Sequence, residues 1–119
     1  MRAGLFVMIG GALGATARWS VHEILPSDDG RFPWGTFVVN VVGCLAIGLA
    51  ARRLARDSDA WAGLVVGCLG GLTTFSAFAV ETRLLVADER PAVAVAYVAA
   101  TMAVGIAATE LARSRGGPT

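Results

Sequence analysis

The chain has no lysine, one histidine, two cysteines and few charged residues. Its 119 residues are only 16% charged, and all ten basic residues are arginine. The net charge of +1 gives no sign of nucleic-acid binding. Cys44 and Cys68 stand apart from His22, so the sequence lacks a metal-binding cysteine and histidine cluster. We expect both cysteines to be packing residues and His22 to be a surface residue near a membrane interface.

Catalytic arrangements are also missing from the sequence. Neither a histidine nor a lysine accompanies Ser76 in a nucleophile motif, and the carboxylates form no catalytic pair. No glycine-rich phosphate loop follows a strand. These absences argue against an enzyme.

Long uncharged runs dominate the chain instead. Hydrophobic residues make up 55% of it, and the mean hydropathy is +0.65. The uncharged runs cover residues 3–17, 34–51, 60–80 and 91–109. About 20 apolar residues cross the roughly 30 Å core of a bilayer, and the first run reaches this length only by extending past Arg18.

Four such runs predict an all-α integral membrane protein with a single domain over residues 1–119. The expected helices are about 3–25, 34–53, 60–86 and 91–112. A cleaved secretory signal is a poorer interpretation of the first run, because three further spans follow it. A soluble bundle would need charged outer faces, whereas the charges lie almost entirely between the runs.

The third run combines helix-packing glycines with residues that weaken a helix. Glycines recur at every fourth position, at Gly63, Gly67 and Gly71. They leave bare backbone on which another helix can pack closely. Gly70 and Gly71 each weaken a helix by about 1 kcal/mol relative to alanine, and Thr73 and Thr74 are β-branched. We predict a break here that frees backbone carbonyls for protein, water or a cation.

Aromatic rings and hydroxyls follow the expected break. Phe75 and Phe78 share a face, and ring edges carry a partial positive charge that can help to hold a small anion. The interleaved Thr74 and Ser76 favour this interpretation over aromatic packing alone. Asn40 is the only amide side chain in the spans and must face a helix or a cavity. It either forms an interhelical hydrogen bond or donates a hydrogen bond to an anion.

Two further features leave alternatives open. Tyr97 and Thr101 form a thin polar stripe with Gly105 on the fourth helix. The stripe either bonds back to its own helix or lines a polar track. Arg18 either extends to the interface or is a buried structural cation.

Over essentially its whole length the chain resembles the CrcB/Fluc fluoride channels, small four-helix bacterial membrane proteins. The matching motifs are Gly10-Gly11-x-x-Gly14-Ala15-x-x-Arg18, Gly35-Thr36-x-x-x-Asn40-x-x-Gly43 and Gly67-x-x-Gly70-Gly71-x-Thr73-Thr74-Phe75-Ser76-x-Phe78-x-x-Glu81. The third motif is highly specific. Ala77 departs from the threonine or serine of many members, and the fourth helix matches only in its Tyr97 and Thr101 spacing.

The resemblance implies a fluoride-selective channel of the bacterial plasma (inner) membrane that exports cytoplasmic fluoride and so reduces its toxicity. It implies an antiparallel, dual-topology dimer with a structural sodium ion at its centre, held by the carbonyls of Gly70 and Thr73. The implied fluoride pathway consists of Asn40, Thr74, Phe75, Ser76, Phe78, Tyr97 and Thr101. Arg18 would lie near an entrance or brace the fold, and Glu81 matches a family position of undefined role.

The distribution of loop arginines only weakly favours one orientation in the membrane. One side would carry Arg2, Arg52, Arg53, Arg56, Arg113 and Arg115, and the other Arg31, Arg83 and Arg90, with Arg18 nearby. The second subunit is therefore either another copy in the opposite orientation or a related chain of opposite bias.

Two other classes of protein remain as alternatives. A small multidrug-type, proton-coupled cation transporter needs a membrane-buried carboxylate, whereas Glu23, Glu81 and Glu110 are expected near helix ends. A structural assembly subunit would account for the glycine face but not for Asn40 or the cluster of rings and hydroxyls.

Overall fold

The computed structural model describes residues 2–27 and 30–115. The helices within these ranges are α1 (Arg2–Ile24), α2 (Trp34–Arg53), α3 (59–72), α4 (Phe75–Ala87) and α5 (Pro91–Ser114). Asp28 and Asp29, between α1 and α2, lie outside the described residues. So do residue 1 and residues 116–119 of the predicted single domain.

Four segments are long and apolar enough to cross a membrane. They are α1, α2, α5 and the α3–α4 segment Asp59–Ala87. The Cα positions extend over 46 Å along the longest axis, close to the roughly 40–45 Å of a bilayer with its headgroup regions. Met8, Leu13 and Ile106 are among the large apolar side chains on the outer faces. The prediction of an all-helical protein with four spans is confirmed.

Helix starts follow local sequence signals. Ser58 is the N-cap of α3, where its hydroxyl accepts a hydrogen bond from the Trp61 N–H at 3.0 Å. Pro91 occupies the first turn of α5, where its missing N–H costs no helical bond. Trp34 begins α2 with more than half of its surface exposed, as suits an aromatic residue at a membrane interface.

Most of α3 is a π-helix, which the sequence pattern did not predict. One α-helical turn at Asp59–Trp61 precedes the π-helical segment Ala62–Leu69, and a second turn at Gly70–Leu72 follows it. Such i→i+5 bonding is rare and is frequently found at functional sites. The π-helical segment here ends just before the interruption between α3 and α4.

The expected glycine face of α3 packs against α1. A Cβ atom on Gly67 would lie 2.7 Å from the carbonyl oxygen of Val7, and one on Gly71 would lie 2.5 Å from that of Gly11. The contact is looser at Gly63, where the atom nearest to an added Cβ would be the Phe6 Cβ at 3.4 Å, an ordinary van der Waals distance. The glycine spacing therefore produces close helix contact, tightest at Gly67 and Gly71.

The glycines of α1 complete the same contact. Carbonyl oxygens of Gly63 and Cys68 occupy the space that a Cβ atom would take on Gly10 and Gly14. Both of these α1 glycines are buried. Glycine on both helices allows backbone to lie against backbone.

Helices α2 and α5 form a second packed pair, and α4 packs beside this pair. Tyr97 of α5 is completely buried and packs with Leu85 and Ala94. Its ring also lies 5.1 Å from the Phe78 ring and 5.3 Å from the Phe32 ring, centroid to centroid. This cluster fixes α4 against α5 and positions the side chains of α4 near α2.

We predict that Gly67→Ala destabilises the protein and that Gly63→Ala does so much less. The added methyl group would lie 2.7 Å from backbone at Gly67, whereas at Gly63 its nearest neighbour would lie 3.4 Å away. The expected loss at Gly67 is about 1–3 kcal/mol, measured by thermal unfolding in detergent. Equal losses in the two variants would contradict the proposed packing.

Candidate functional site

The third span is interrupted at Thr73 and Thr74, where the sequence predicts a break. Both residues are extended, with φ −81° and ψ 154° at Thr73 and φ −147° and ψ 117° at Thr74. Thr74 caps α4, since its hydroxyl accepts a hydrogen bond from the Ala77 N–H at 3.1 Å. The Thr73 hydroxyl donates back to the Leu69 carbonyl at 2.9 Å.

Asn40 of α2 holds this interruption in place. Its Oδ1 accepts from the Thr74 N–H at 2.9 Å, and its Nδ2 donates to the Thr74 carbonyl at 3.1 Å. A primary amide has two N–H groups, and one of them is left without a protein partner among the described residues. Asn40 therefore links two helices and keeps one donor available, so it fits both of the roles considered for it.

The interruption redirects two N–H groups that would continue the helix. The Thr74 N–H bonds to Asn40 and the Ala77 N–H to the Thr74 hydroxyl. In an α-helix these groups would pair with the carbonyls of Gly70 and Thr73, four residues earlier. These two carbonyls, which the resemblance assigns to sodium, are thereby deprived of their helical donors.

A cavity of about 310 Å³ lies beside the interruption. Its lining comprises Asn40, Gly43, Cys44, Ile47, Thr73, Thr74, Phe75, Phe78, Thr101 and Met102. Gly43 gives the Thr73 methyl group room, because a Cβ atom at position 43 would overlap it. The Thr101 hydroxyl is buried and has no hydrogen-bond partner in the part of the chain described. Buried polar atoms are rarely left unpaired, and this one borders the cavity.

Five of the seven residues predicted for the fluoride pathway line this cavity: Asn40, Thr74, Phe75, Phe78 and Thr101. The rings of Phe75 and Phe78 lie 6.0 Å apart, on one face of α4. Phe75 is 79% exposed in the single chain. The Ser76 hydroxyl lies beside the cavity lining, 3.2 Å from that of Thr74.

Tyr97 lies next to the cavity, behind Phe78, and its hydroxyl is committed to Glu81. The Tyr97 hydroxyl donates to Glu81 Oε2 at 2.8 Å, and the Thr36 hydroxyl donates to Glu81 Oε1 at 2.8 Å. Thr36 is completely buried. The Glu81 carboxylate, about two turns before the end of α4, is thus held inside the helical bundle.

The expectation that His22 is a surface residue is wrong. The ring is half-buried, with Nε2 3.0 Å from the Thr36 hydroxyl and Nδ1 2.9 Å from the Arg18 carbonyl. No sequence pattern links these partners, because residues 22, 36 and 81 are far apart along the chain. The Arg18 side chain is half-buried and does not line the cavity beside Asn40.

The fold and the cavity define a small integral membrane protein that surrounds a partly polar groove at an interrupted helix. Residues 5–113 match the CrcB-like protein family, Camphor Resistance (CrcB). The chain belongs to this family.

Three curated relatives are named as fluoride channels. The fluoride-specific ion channel FluC of Novosphingobium aromaticivorans is 43% identical over 112 residues, 89% of each chain. FluC of Methylobacillus flagellatus is 38% identical, covering 86% of this chain and 84% of its own. FluC 2 of Streptomyces avermitilis is 43% identical over 81% of this chain, which spans only 63% of that longer relative. Together with the four spans, these matches identify a multi-pass bacterial membrane protein.

We predict that Asn40→Asp destabilises the interruption of the third span. The carboxylate still accepts from the Thr74 N–H but places a second acceptor opposite the Thr74 carbonyl. A buried carbonyl left without a donor costs about 1–3 kcal/mol, to be measured by thermal unfolding in detergent. Cys44→Ser is the matched control, since it lies one turn further along α2 in the same cavity. The same loss in both variants would refute the bridging role of Asn40.

Proposed function

We propose that this protein is a fluoride-selective channel that lets cytoplasmic fluoride leave the cell down its electrochemical gradient and so limits fluoride toxicity. The observation that carries the proposal is the groove beside the interruption. Its lining includes the Asn40 amide and the buried Thr101 hydroxyl, for which residues 2–27 and 30–115 supply no hydrogen-bond partner. The names of the curated relatives supply the identity of the ion.

The lining of the groove suits a small anion. Fluoride is strongly hydrated, so donors must replace its water while binding stays weak enough for release. The spare Asn40 N–H and the Thr101 hydroxyl are such donors. The edges of the Phe75 and Phe78 rings add weak positive potential. Helix α4 begins at Phe75, and the partial positive charge of its N-terminus adds to this potential.

The contacts of Glu81 weigh against a proton-coupled cation transporter. Its carboxylate accepts hydrogen bonds from Thr36, Tyr97 and, at 3.3 Å, Ser27. A carboxylate occupied in this way is poorly placed to exchange protons for bulky cations. A channel, rather than an enzyme or a cation exchanger, is the function that fits these residues.

A second subunit in the opposite orientation completes our proposal. The exposed Phe75 ring supports it, because the chain alone covers only about a fifth of that surface. The near balance of loop arginines suits a chain that inserts both ways. The partner is then a second copy, or a related chain of opposite bias. Tags on the C-terminus distinguish these cases, since a self-paired dimer displays them on both membrane faces.

A structural sodium ion at the dimer centre is the last part of the proposal. The carbonyls of Gly70 and Thr73 fit such an ion, because the N–H groups that would pair with them are directed elsewhere. Oxygen donors suit a hard cation. The ion would satisfy polar backbone within the membrane and offset repulsion between anions.

We predict that the purified protein in liposomes releases fluoride far faster than chloride, and that Thr101→Val slows this release. Valine is nearly isosteric and removes an unpaired hydroxyl, so thermal stability should be unchanged or higher. The loss of one donor should reduce fluoride flux about two- to tenfold, measured with a fluoride electrode.

Thr82→Val is the matched control for this substitution. The Thr82 hydroxyl donates to the Phe78 carbonyl of its own helix at 2.7 Å and borders a different cavity. Its flux should equal that of the unaltered protein. Equal permeability to fluoride and chloride would overturn the proposed function, and unchanged flux in Thr101→Val would remove Thr101 from the pathway.

We further predict that replacing sodium by a large organic cation destabilises the purified dimer. A ligand at 100 times its dissociation constant stabilises a protein by about 2.7 kcal/mol. The melting temperature should therefore fall in the organic cation and recover when sodium is restored. An unchanged melting temperature and dimer fraction would exclude a structural role for sodium.

A further inference from the structure

A buried hydrogen-bonded chain connects α1, α2, α4 and α5 at one end of the groove. It runs from His22 Nε2 to the Thr36 hydroxyl at 3.0 Å and from that hydroxyl to Glu81 Oε1 at 2.8 Å. The Tyr97 hydroxyl donates the last hydrogen bond of the chain, to Glu81 Oε2. Gly35 permits the approach of α1, because a Cβ atom there would lie 3.3 Å from the His22 ring.

With the Glu81 carboxylate ionised, the hydrogen bonds of this chain define the protons on the histidine. The Arg18 carbonyl can only accept, so His22 Nδ1 carries a hydrogen. The Thr36 hydroxyl has one hydrogen, which it donates to Glu81, so it accepts from His22 Nε2. Both ring nitrogens are then donors, which is the pattern of an imidazolium.

The Glu81 carboxylate has the complementary pattern. It accepts from the Thr36, Tyr97 and Ser27 hydroxyls. A carboxyl group that only accepts hydrogen bonds has the pattern of an ionised carboxylate. A positive His22 and a negative Glu81 are therefore joined through one hydroxyl, and their charges cancel.

The other charges around this pair are few among the described residues. Arg18 and Glu23 flank His22 on α1. Arg31 and Asp88 line a small cavity of about 50 Å³ together with Glu81. Thr36 and Tyr97, which contact Glu81 from α2 and α5, are uncharged.

We infer that His22 is a positioning residue whose imidazolium charge cancels that of Glu81 and keeps this end of the groove passable to an anion. The inference depends on the proposed fluoride flux. Glu81 lies one turn beyond Phe78, which lines the groove, so an anion moving along α4 towards this end approaches the carboxylate. Fluoride flux should therefore fall when a neutral side chain replaces the His22 ring.

The protonation state can be measured directly in the unaltered protein. His22 is the only histidine of the chain, so ¹⁵N magnetic resonance of labelled histidine reports on it alone. We expect protons on both ring nitrogens at pH 7. A neutral ring with one N–H would overturn the inference, and the experiment does not depend on any channel activity.

Fluoride release from liposomes at pH 7 tests the consequence. In His22→Gln we expect flux to fall about tenfold, because an uncompensated carboxylate repels the anion. His22→Arg keeps a positive charge at this position and should keep its flux. Protein-free liposomes correct for permeation of undissociated hydrogen fluoride.

Each remaining outcome has a definite meaning. Size-exclusion elution at the position of the unaltered protein shows that a variant is assembled. Unchanged flux in assembled His22→Gln, or an equal loss of flux in assembled His22→Arg, would refute the role of His22. Absence of fluoride flux from the unaltered protein would instead refute the proposed function and leave the magnetic resonance result standing.

Discussion

The structure depends on the double hydrogen bond between the Asn40 side chain and the Thr74 backbone. Backbone polar groups in a membrane need partners, because the lipid offers none. An interrupted helix is stable there only where another part of the protein supplies a donor and an acceptor. The Asn40 amide supplies both. It therefore allows α3 to stop and α4 to start in the middle of a span.

Several features of the groove follow from these two hydrogen bonds between Asn40 and Thr74. They draw the Thr74 N–H away from the Gly70 carbonyl and leave one of the two Asn40 amide hydrogens without a partner among the described residues. They also hold α2 close to the interruption, so that the Thr73 methyl group fills the space left by Gly43. The Thr101 hydroxyl of α5 then borders the same cavity. Donors from two helices and rings from a third thus surround one volume.

The sequence predicts the spans and the interruption well, because each depends on residues near one another in the chain. Run length, the glycine spacing and the Thr73-Thr74 pair are local signals. The π-helical segment of α3 was missed, since its glycines fit either kind of helix. His22 was misplaced because its partner Thr36 lies across a loop and on another helix. Such pairing depends on helix packing, which hydrophobic periodicity does not specify.

The two-residue link between α3 and α4 is a loop whose length cannot vary. Asn40 fixes Thr74, and Thr74 fixes the first turn of α4. One residue inserted between Thr74 and Phe75 would turn α4 by about 100° relative to that anchor, given 3.6 residues per turn. Phe78 would then turn away from Tyr97, and Glu81 from Thr36. The loops at the membrane surface tolerate insertions, whereas this connection sets the rotation of a whole helix.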